Sequence, residues 1–318
     1  MKADKILEFD SLYALILHFD SEEKCEEHLI NLRWNGEPVC PNCECKRVGK
    51  LNGKRKQFKC YGCKRKFSAK TGSIFHDSKL PLLKWFVAIY LFSSHKRGIS
   101  SHQLARDLKV SQKSAWYMLH RIRECYAQDN EEKLDGVVQM DETFVGGEVR
   151  NKHAWQKEEF HKGGKRTGMT HKMAVLGIMN EEEVRAMPIE KANKANMLPI
   201  INEEVDESAT VVTDGFGPYK ALAKTHAKHV VIEHGIGEYV KDGYTTNNIE
   251  CFWSHMKRGI IGTYFHTSKG HLGSYVDEFA FRYNTRKMGE GDRFDLTLSK
   301  SNKTLSWNEL IEKGKRRA

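Results

Sequence analysis

The sequence has no apolar run long enough to cross a bilayer. The longest runs, around Leu12 to Leu17 and Trp85 to Phe92, fall well short of the roughly 20 residues a spanning helix needs. The N-terminus lacks the basic, apolar and small-residue succession of a secretion signal. Internal repeats and low-complexity tracts are missing as well, which excludes solenoids and fibres. From these absences we expect a cytoplasmic globular protein with no membrane partner. With 318 residues and 39% apolar content, the chain has room for one large domain or two to three smaller ones.

Acid is scarce relative to base. Forty-two Asp and Glu stand against 52 Lys and Arg, a formal net charge of +10. Such a balance points to a polyanionic partner, nucleic acid before membrane.

Eight cysteines in a chain of this length, clustered and without a secretion signal, suggest metal ligation or free thiols rather than disulfides. Cys25, Cys125 and Cys251 stand alone and read as small buried hydrophobes or bystanders. Cys40 with Cys43, and Cys60 with Cys63, form two C-x-x-C knuckles separated by sixteen residues. Four soft thiolates at that spacing suit tetrahedral Zn²⁺ and leave no open coordination position, so the site is expected to be structural. Cys45 is a poor fifth candidate. The stretch around the knuckles is basic and interleaved with Phe58, Tyr61 and Phe67, a pattern suited to phosphate contact, the alternative being a solvated basic face. Lys54, Arg55, Lys64 and Arg65 are its candidate DNA-binding residues.

Downstream, "ISSHQLARDLKVSQKSAWYMLHRIRECYAQ" reads as helix, tight turn, helix. Ser101 is expected to cap the first helix and Ser111 the second. The second helix offers Gln112, Lys113, Arg121 and Arg123 as polar positions of a recognition helix, of which Gln112, Lys113 and Arg121 are candidate DNA contacts. From about residue 135 the pattern turns to α/β. "GVVQMDETFVGG", "HKMAVLGIMN" and "EVRAMPIE" read as strands, "KANMLPIINEEV" as a helix, and "ATVVTDGF" and "KHVVIE" as two more strands. Two helices follow, in "TTNNIECFWSHMKRGIIGTYFHTS" and "SKGHLGSYVDEFAFRYNTRK". This succession is close to the order βββ-α-β-α-β-α and reads as ribonuclease-H-like, with a mixed five-stranded sheet. The basic, glycine-bearing stretch at 148–169 reads as a mobile loop between the first two strands.

The fold expected is therefore multidomain. A helical lead-in covers 1–35, a zinc ribbon 36–76, a helical region with the helix-turn-helix 77–130, the ribonuclease-H-like domain 131–290, and a loosely packed basic tail with one short helix 291–318.

Asp141 and Asp214 each close an apolar strand, where a charge costs desolvation unless it meets a cation or partner. In this topology the first and fourth strands are neighbours, so the two acids lie side by side. Their mutual repulsion is relieved by a hard divalent ion bound through oxygen. Thirty-five residues separate Asp214 from Glu250, which is expected on a helix packed against this sheet edge, with Lys257 on the same face. Glu142 points to the opposite side of its strand and reads as a neighbour rather than a ligand. Trp253 reads as core.

The motifs "MDETFVGGE", "VVTDGFGPY", "NNIECFWSHMKRGIIGTYFH" and "YVDEFAFRYNTR", with the D, D, thirty-five residues, E spacing, resemble the DDE transposases of bacterial insertion sequences, and more narrowly the insertion-sequence 1595 family with its N-terminal zinc ribbon and ISXO2-like transposase domain. The resemblance runs from about Cys40 to Arg286. It implies that Asp141, Asp214 and Glu250 hold catalytic Mg²⁺ (or Mn²⁺), and that Lys257 is the accompanying lysine, with Arg258 beside it on the DNA. It further implies double-stranded DNA partners, namely terminal inverted repeats and target, a homodimer or higher multimer on that DNA, and two-metal cleavage and strand transfer. Two other functions fit part of the pattern: a DNA-binding regulator on a retained fold, and a junction nuclease or resolvase.

Overall fold

The computed structural model describes residues 11–53, 56–128, 132–146, 158 and 172–315. Lys54, Arg55 and all of the 148–169 stretch except Glu158 lie outside them. The chain divides into two compact units, one of 1–127 with 285–313 and the other of 128–284 with 314–318.

The first unit opens with α1 (Leu12–His18) and α2 (Glu22–Trp34), each started by a serine whose hydroxyl accepts a backbone N–H of the first turn. Strands β1 (Val48–Leu51), β2 (Gln57–Cys60) and β3 (Lys66–Ser68) form a three-stranded antiparallel sheet. Phe58 and Phe67 on that sheet pack edge-on against Trp34, giving this small ribbon an aromatic anchor. Helix α3 (Leu82–Ser94) is apolar almost all round and buried accordingly. Then come α4 (Ser101–Leu108) and α5 (Gln112–Arg123), joined through Lys109 in the left-handed region and Val110.

Ser111 caps α5 as expected, its hydroxyl accepting the Ser114 N–H at 3.1 Å. The cap of α4, however, is Ser100 and not Ser101. Ser100 has the extended backbone a cap needs, whereas Ser101 is already helical and its hydroxyl accepts from Gln112 Nε2 at 2.8 Å.

The second unit is a mixed sheet built from β4 (Val137–Val145), β5 (Met173–Met179), β6 (Val184–Ile189), β7 (Thr210–Asp214) and β8 (Lys228–Ile232). Strand order is β6-β5-β4-β7-β8. The first three strands pair antiparallel, while β4, β7 and β8 run parallel. One sheet face packs Met140, Leu176 and Val211 against Met197 and Ile201 of α6 (Lys194–Glu204), with Tyr219 and Leu222 from the 3₁₀ segment Gly217–Lys224. The other face packs Val175 and Ala186 against Ile249, Phe252 and Met256 of α7 (Asn247–Gly259) and against Val276 and Phe279 of α8 (Leu272–Asn284). The alternation along β4 separates the two: Val138 and Met140 face α6, Gln139 and Val145 face α7.

The C-terminal segment departs from the expectation of a loose tail with one short helix. It forms α9 (Glu290–Ser299) and α10 (Trp307–Lys315), and residues to 313 belong to the first unit. Phe294, Leu298 and Leu310 are buried, so helical spacing of a few large side chains outweighs the polar composition of the stretch.

Candidate active site and metal centre

Four thiols gather in the ribbon. Cys60 ends β2, and Cys63 sits in the turn that Lys64 closes in the left-handed region. Opposite them Cys40 and Cys43 form a second tight turn, closed by the Glu44 N–H on the Cys40 carbonyl at 2.9 Å. All four sulfurs lie within 4.8 Å of one another, the one such group of potential metal ligands among the described residues. The Cys40–Cys63 and Cys43–Cys60 sulfur separations are both 3.6 Å. Four sulfurs at ~2.3 Å from a tetrahedral zinc stand close to this far apart, so the donor set fits Zn²⁺ in size as well as softness. The Cys63 N–H points at Cys60 and pulls that thiol toward the thiolate. Cys45 is outside the group, its sulfur 3.9 Å from the Arg47 carbonyl oxygen.

In the second unit β4 and β7 run parallel with Gln139 opposite Val212, and two residues further along each strand stand Asp141 and Asp214. On its antiparallel side Asp141 is paired with Gly177 of β5. A Cβ at Gly177 would lie 2.4 Å from Trp253 Cζ2, so the absence of a side chain there lets the α7 indole rest on the sheet beside Asp141. Gln139 ties the same helix down, its Oε1 accepting the Ile249 N–H at 3.2 Å.

Burial first, and then the Asp214 charge, push the Asp141 carboxyl up to about 6. The Trp253 indole N–H, which makes no hydrogen bond of good geometry among the described residues, pulls the other way from its place beside Asp141. Glu142 faces the α6 side, where the Tyr219 hydroxyl donates to it at 3.0 Å. Burial pushes Glu142 up to about 7; that hydrogen bond opposes the shift, and the Asp141 and Asp214 charges add to it. Asp214 accepts the Phe216 N–H at 2.9 Å and borders a cleft of about 330 Å³ whose walls include Lys220 and His229.

Glu250 stands in the first turn of α7, exposed, and near enough to Asp141 for its charge to raise that pKa. Its carboxylate is turned toward Thr246 Oγ1, which donates at 2.9 Å, and His234 Nε2 at 3.2 Å. The structure thus brings Asp141 and Asp214 together and sets Glu250 on the facing helix, while the three carboxylates lack the tight convergence of the four thiols. Lys257 and Arg258 are exposed near the end of α7, Lys257 two turns from Glu250. Trp253 is buried, as expected for a core residue.

The DNA-binding candidates divide. Lys64 and Arg65 are exposed on the ribbon, although Arg65 lies 3.3 Å from Asn42 Oδ1. Gln112 and Lys113 are exposed at the start of α5, with the Lys113 ammonium 4.5 Å from the Trp307 ring. Arg121 is a correction. It is 7% exposed, and its guanidinium is consumed by the carbonyls of Leu305, Ile74 and His76 and the Tyr117 hydroxyl. A polar pattern along a helix could not show that chain from residue 305 covers it. Arg123 is buried too, over the Phe92 ring.

Sequence reasoning missed Gly177, Gln139, Tyr219 and Thr246. Of these only Gly177 left a trace, as a lone glycine inside the apolar strand "MAVLGIM".

Comparison with known proteins adds the following. The model of the ISXO2-like transposase domain matches residues 133–284, and that of the transposase zinc-ribbon domain matches 20–66. An uncharacterised protein in the transposable element ISH50 of Halobacterium salinarum is 27% identical over 281 residues, covering 86% of this chain and 94% of its own length. An uncharacterised transposase-like protein of Haemophilus influenzae is 28% identical over 106 residues, 33% of this chain and 85% of that protein.

Proposed function

We propose, from the premise that the chain belongs to the ISXO2-like transposases with an N-terminal zinc ribbon, that it binds the terminal inverted repeats of an insertion sequence and catalyses metal-dependent DNA cleavage and strand transfer. The observation that carries this reading is the pair Asp141 and Asp214 abreast on adjacent parallel strands, Asp214 at the end of β7 and Asp141 midway along β4, which runs on to Val145 instead of closing at Asp141 as expected, with Glu250 on the helix that packs on this face. The strand order, with β4 and β7 central and parallel, supports a ribonuclease-H-like assignment for the second unit. Asp141, Asp214 and Glu250 are the residues that would hold Mg²⁺ or Mn²⁺, whose chemistry when bound is to activate a water or 3′-hydroxyl and stabilise the leaving oxygen. The desolvated, mutually repelling acids fit such an ion, because a cation removes the electrostatic cost that raises Asp141.

Lys257 holds the DNA backbone on the Glu250 face of α7, with Arg258 next to it. The ribbon, with Zn²⁺ as a structural ion, contributes Lys64 and Arg65, together with Lys54 and Arg55. The helix-turn-helix of α4 and α5 contributes Gln112 and Lys113; Arg121 has no part in this reading. The chain acts in the cytoplasm, on the nucleoid when bound, and pairs two DNA ends as a homodimer or higher multimer.

The test is strand transfer from oligonucleotide ends in Mg²⁺, with Asp141→Ala, Asp214→Ala and Glu250→Ala as controls. Joining by the wild type and its loss in each variant is expected. Full activity in any variant sinks the assignment, and cleavage without joining assigns the chain to the nucleases instead.

A further inference from the structure

The outward face of α7 continues past the helix end. Glu250, Ser254, Lys257 with Arg258, and Ile261 recur at spacings of three and four residues and so form one stripe, exposed except for the half-buried Ser254. After Gly259 the backbone widens into a π-helical turn, Ile260–Tyr264, a form that concentrates at functional sites. Tyr264 is anchored. Its hydroxyl donates to Glu278 at 2.5 Å, and its ring packs edge-on against Tyr275 and Phe279.

The next residue is displayed. Phe265 is 83% exposed at φ 59° and ψ −43°, and the His266 N–H donates to the Tyr264 carbonyl at 2.6 Å to close a three-residue turn of the strained hand. A glycine would adopt this backbone without strain, and a ring left this exposed buries too little surface to require phenylalanine there. Ile261, four residues earlier in the same turn, is 68% exposed. Residues 251–276 carry Lys257, Arg258 and Lys269 but no Asp or Glu, so the chain on either side of these two side chains contributes only positive charge.

We infer that Ile261 and Phe265 form a wedge for duplex DNA lying along α7, with Phe265 stacking on a base step that it opens while Lys257 and Arg258 hold the neighbouring phosphates. Exposed apolar side chains on a rigid, positively framed support are what unstacking a base step requires. From Glu250 to Ile261 the helical rise is ~16 Å, about five base-pair steps, so the opened step lies about that far from the scissile phosphate that a metal ion bound by Glu250 would engage. That position rests on the transposase reading; the wedge itself does not.

The experiment uses the full-length chain without added Mg²⁺ and a set of mixed-sequence 30-base-pair duplexes (about three helical turns) carrying 2-aminopurine at successive positions. Fluorescence is expected to rise on binding for the wild type and for Phe265→Tyr. For Phe265→Gly, which relaxes the turn and preserves the fold, and for Phe265→Ala, the rise is lost. Affinity then falls about tenfold, with the salt dependence unchanged because no phosphate contact is removed. Fluorescence and affinity like wild type in Phe265→Gly overturn the wedge. So does a smaller mass of the DNA-free chain by sedimentation with fluorescence intact, which assigns the ring to a second copy. If the wild type opens the step yet never joins ends, the transposase reading fails and the wedge stands; if it joins ends without opening a step, the reverse holds.

Discussion

In the ribbon, four ligands drawn from the short stretch between Cys40 and Cys63 converge to within 4.8 Å. In the α/β unit, the three acids come from two strands and a helix far apart in sequence, and Glu250 is turned to His234 and Thr246. The difference is one of charge and distance along the chain. Thiols can share a proton and lie against one another, and tight turns with Lys64 and Glu44 at positive φ hold them. Carboxylates repel, so packing can bring Asp141 and Asp214 only side by side, where burial first and the Asp214 charge second raise Asp141 to about 6. One site is assembled by local geometry, the other by the tertiary fold.

The strongest way to break this comparison is to remove a ribbon ligand. Cys40→Ser or Cys60→Ser is expected to release zinc and unfold the ribbon outright, since metal binding supplies ~10 kcal/mol or more to such sites. Metal content by atomic absorption and protease sensitivity of residues 36–76 check it; unchanged zinc would refute the site.

A smaller effect is expected where packing alone holds the acids. Gly177→Ala forces a methyl into the Trp253 ring and should cost about 3 kcal/mol in urea unfolding, with strand transfer falling further than binding as α7 shifts.

Smaller again, and of opposite sign, is Asp141→Asn. Between about pH 4 and 6 the folded chain keeps a proton that the unfolded chain has released, so metal-free stability falls as pH rises through that window and stays lower above it. Glu142 extends the fall to about pH 7. Removing the Asp141 charge should therefore stabilise the metal-free protein by about 2 kcal/mol at pH 7 and flatten its pH profile, as urea titrations at pH 5 and 7 would show. The least effect is expected from Tyr219→Phe, about 1 kcal/mol at pH 7, through the hydrogen bond lost to Glu142.

Legibility followed the same division. The two cysteine knuckles and the Ser111 cap were readable because spacing within a few residues dictates them. The strands bearing Asp141 and Asp214 were readable because an acid at the end of an apolar run is itself an anomaly. Ser100 and Ser101 differ only in which one leaves the helical backbone, which neighbouring residues do not settle. Arg121 looked like a DNA contact because its acceptors, among them the Leu305 carbonyl, come from distant chain. The C-terminal helices were masked by the lysines and arginines around Phe294, Leu298 and Leu310.

By itself the sequence determined the four-thiol donor set of the ribbon, the excess of positive charge, and the succession of five strands in the second unit, because each depends on residue type and short-range spacing. Only the tertiary structure decided which of the candidate cations stay exposed and which are buried, why residue 177 is glycine, where the Glu250 carboxylate points, and that Phe265 stands in solvent on a strained turn. Burial, desolvation and close contact are properties of neighbours, and the neighbours that matter here are brought together only by the fold.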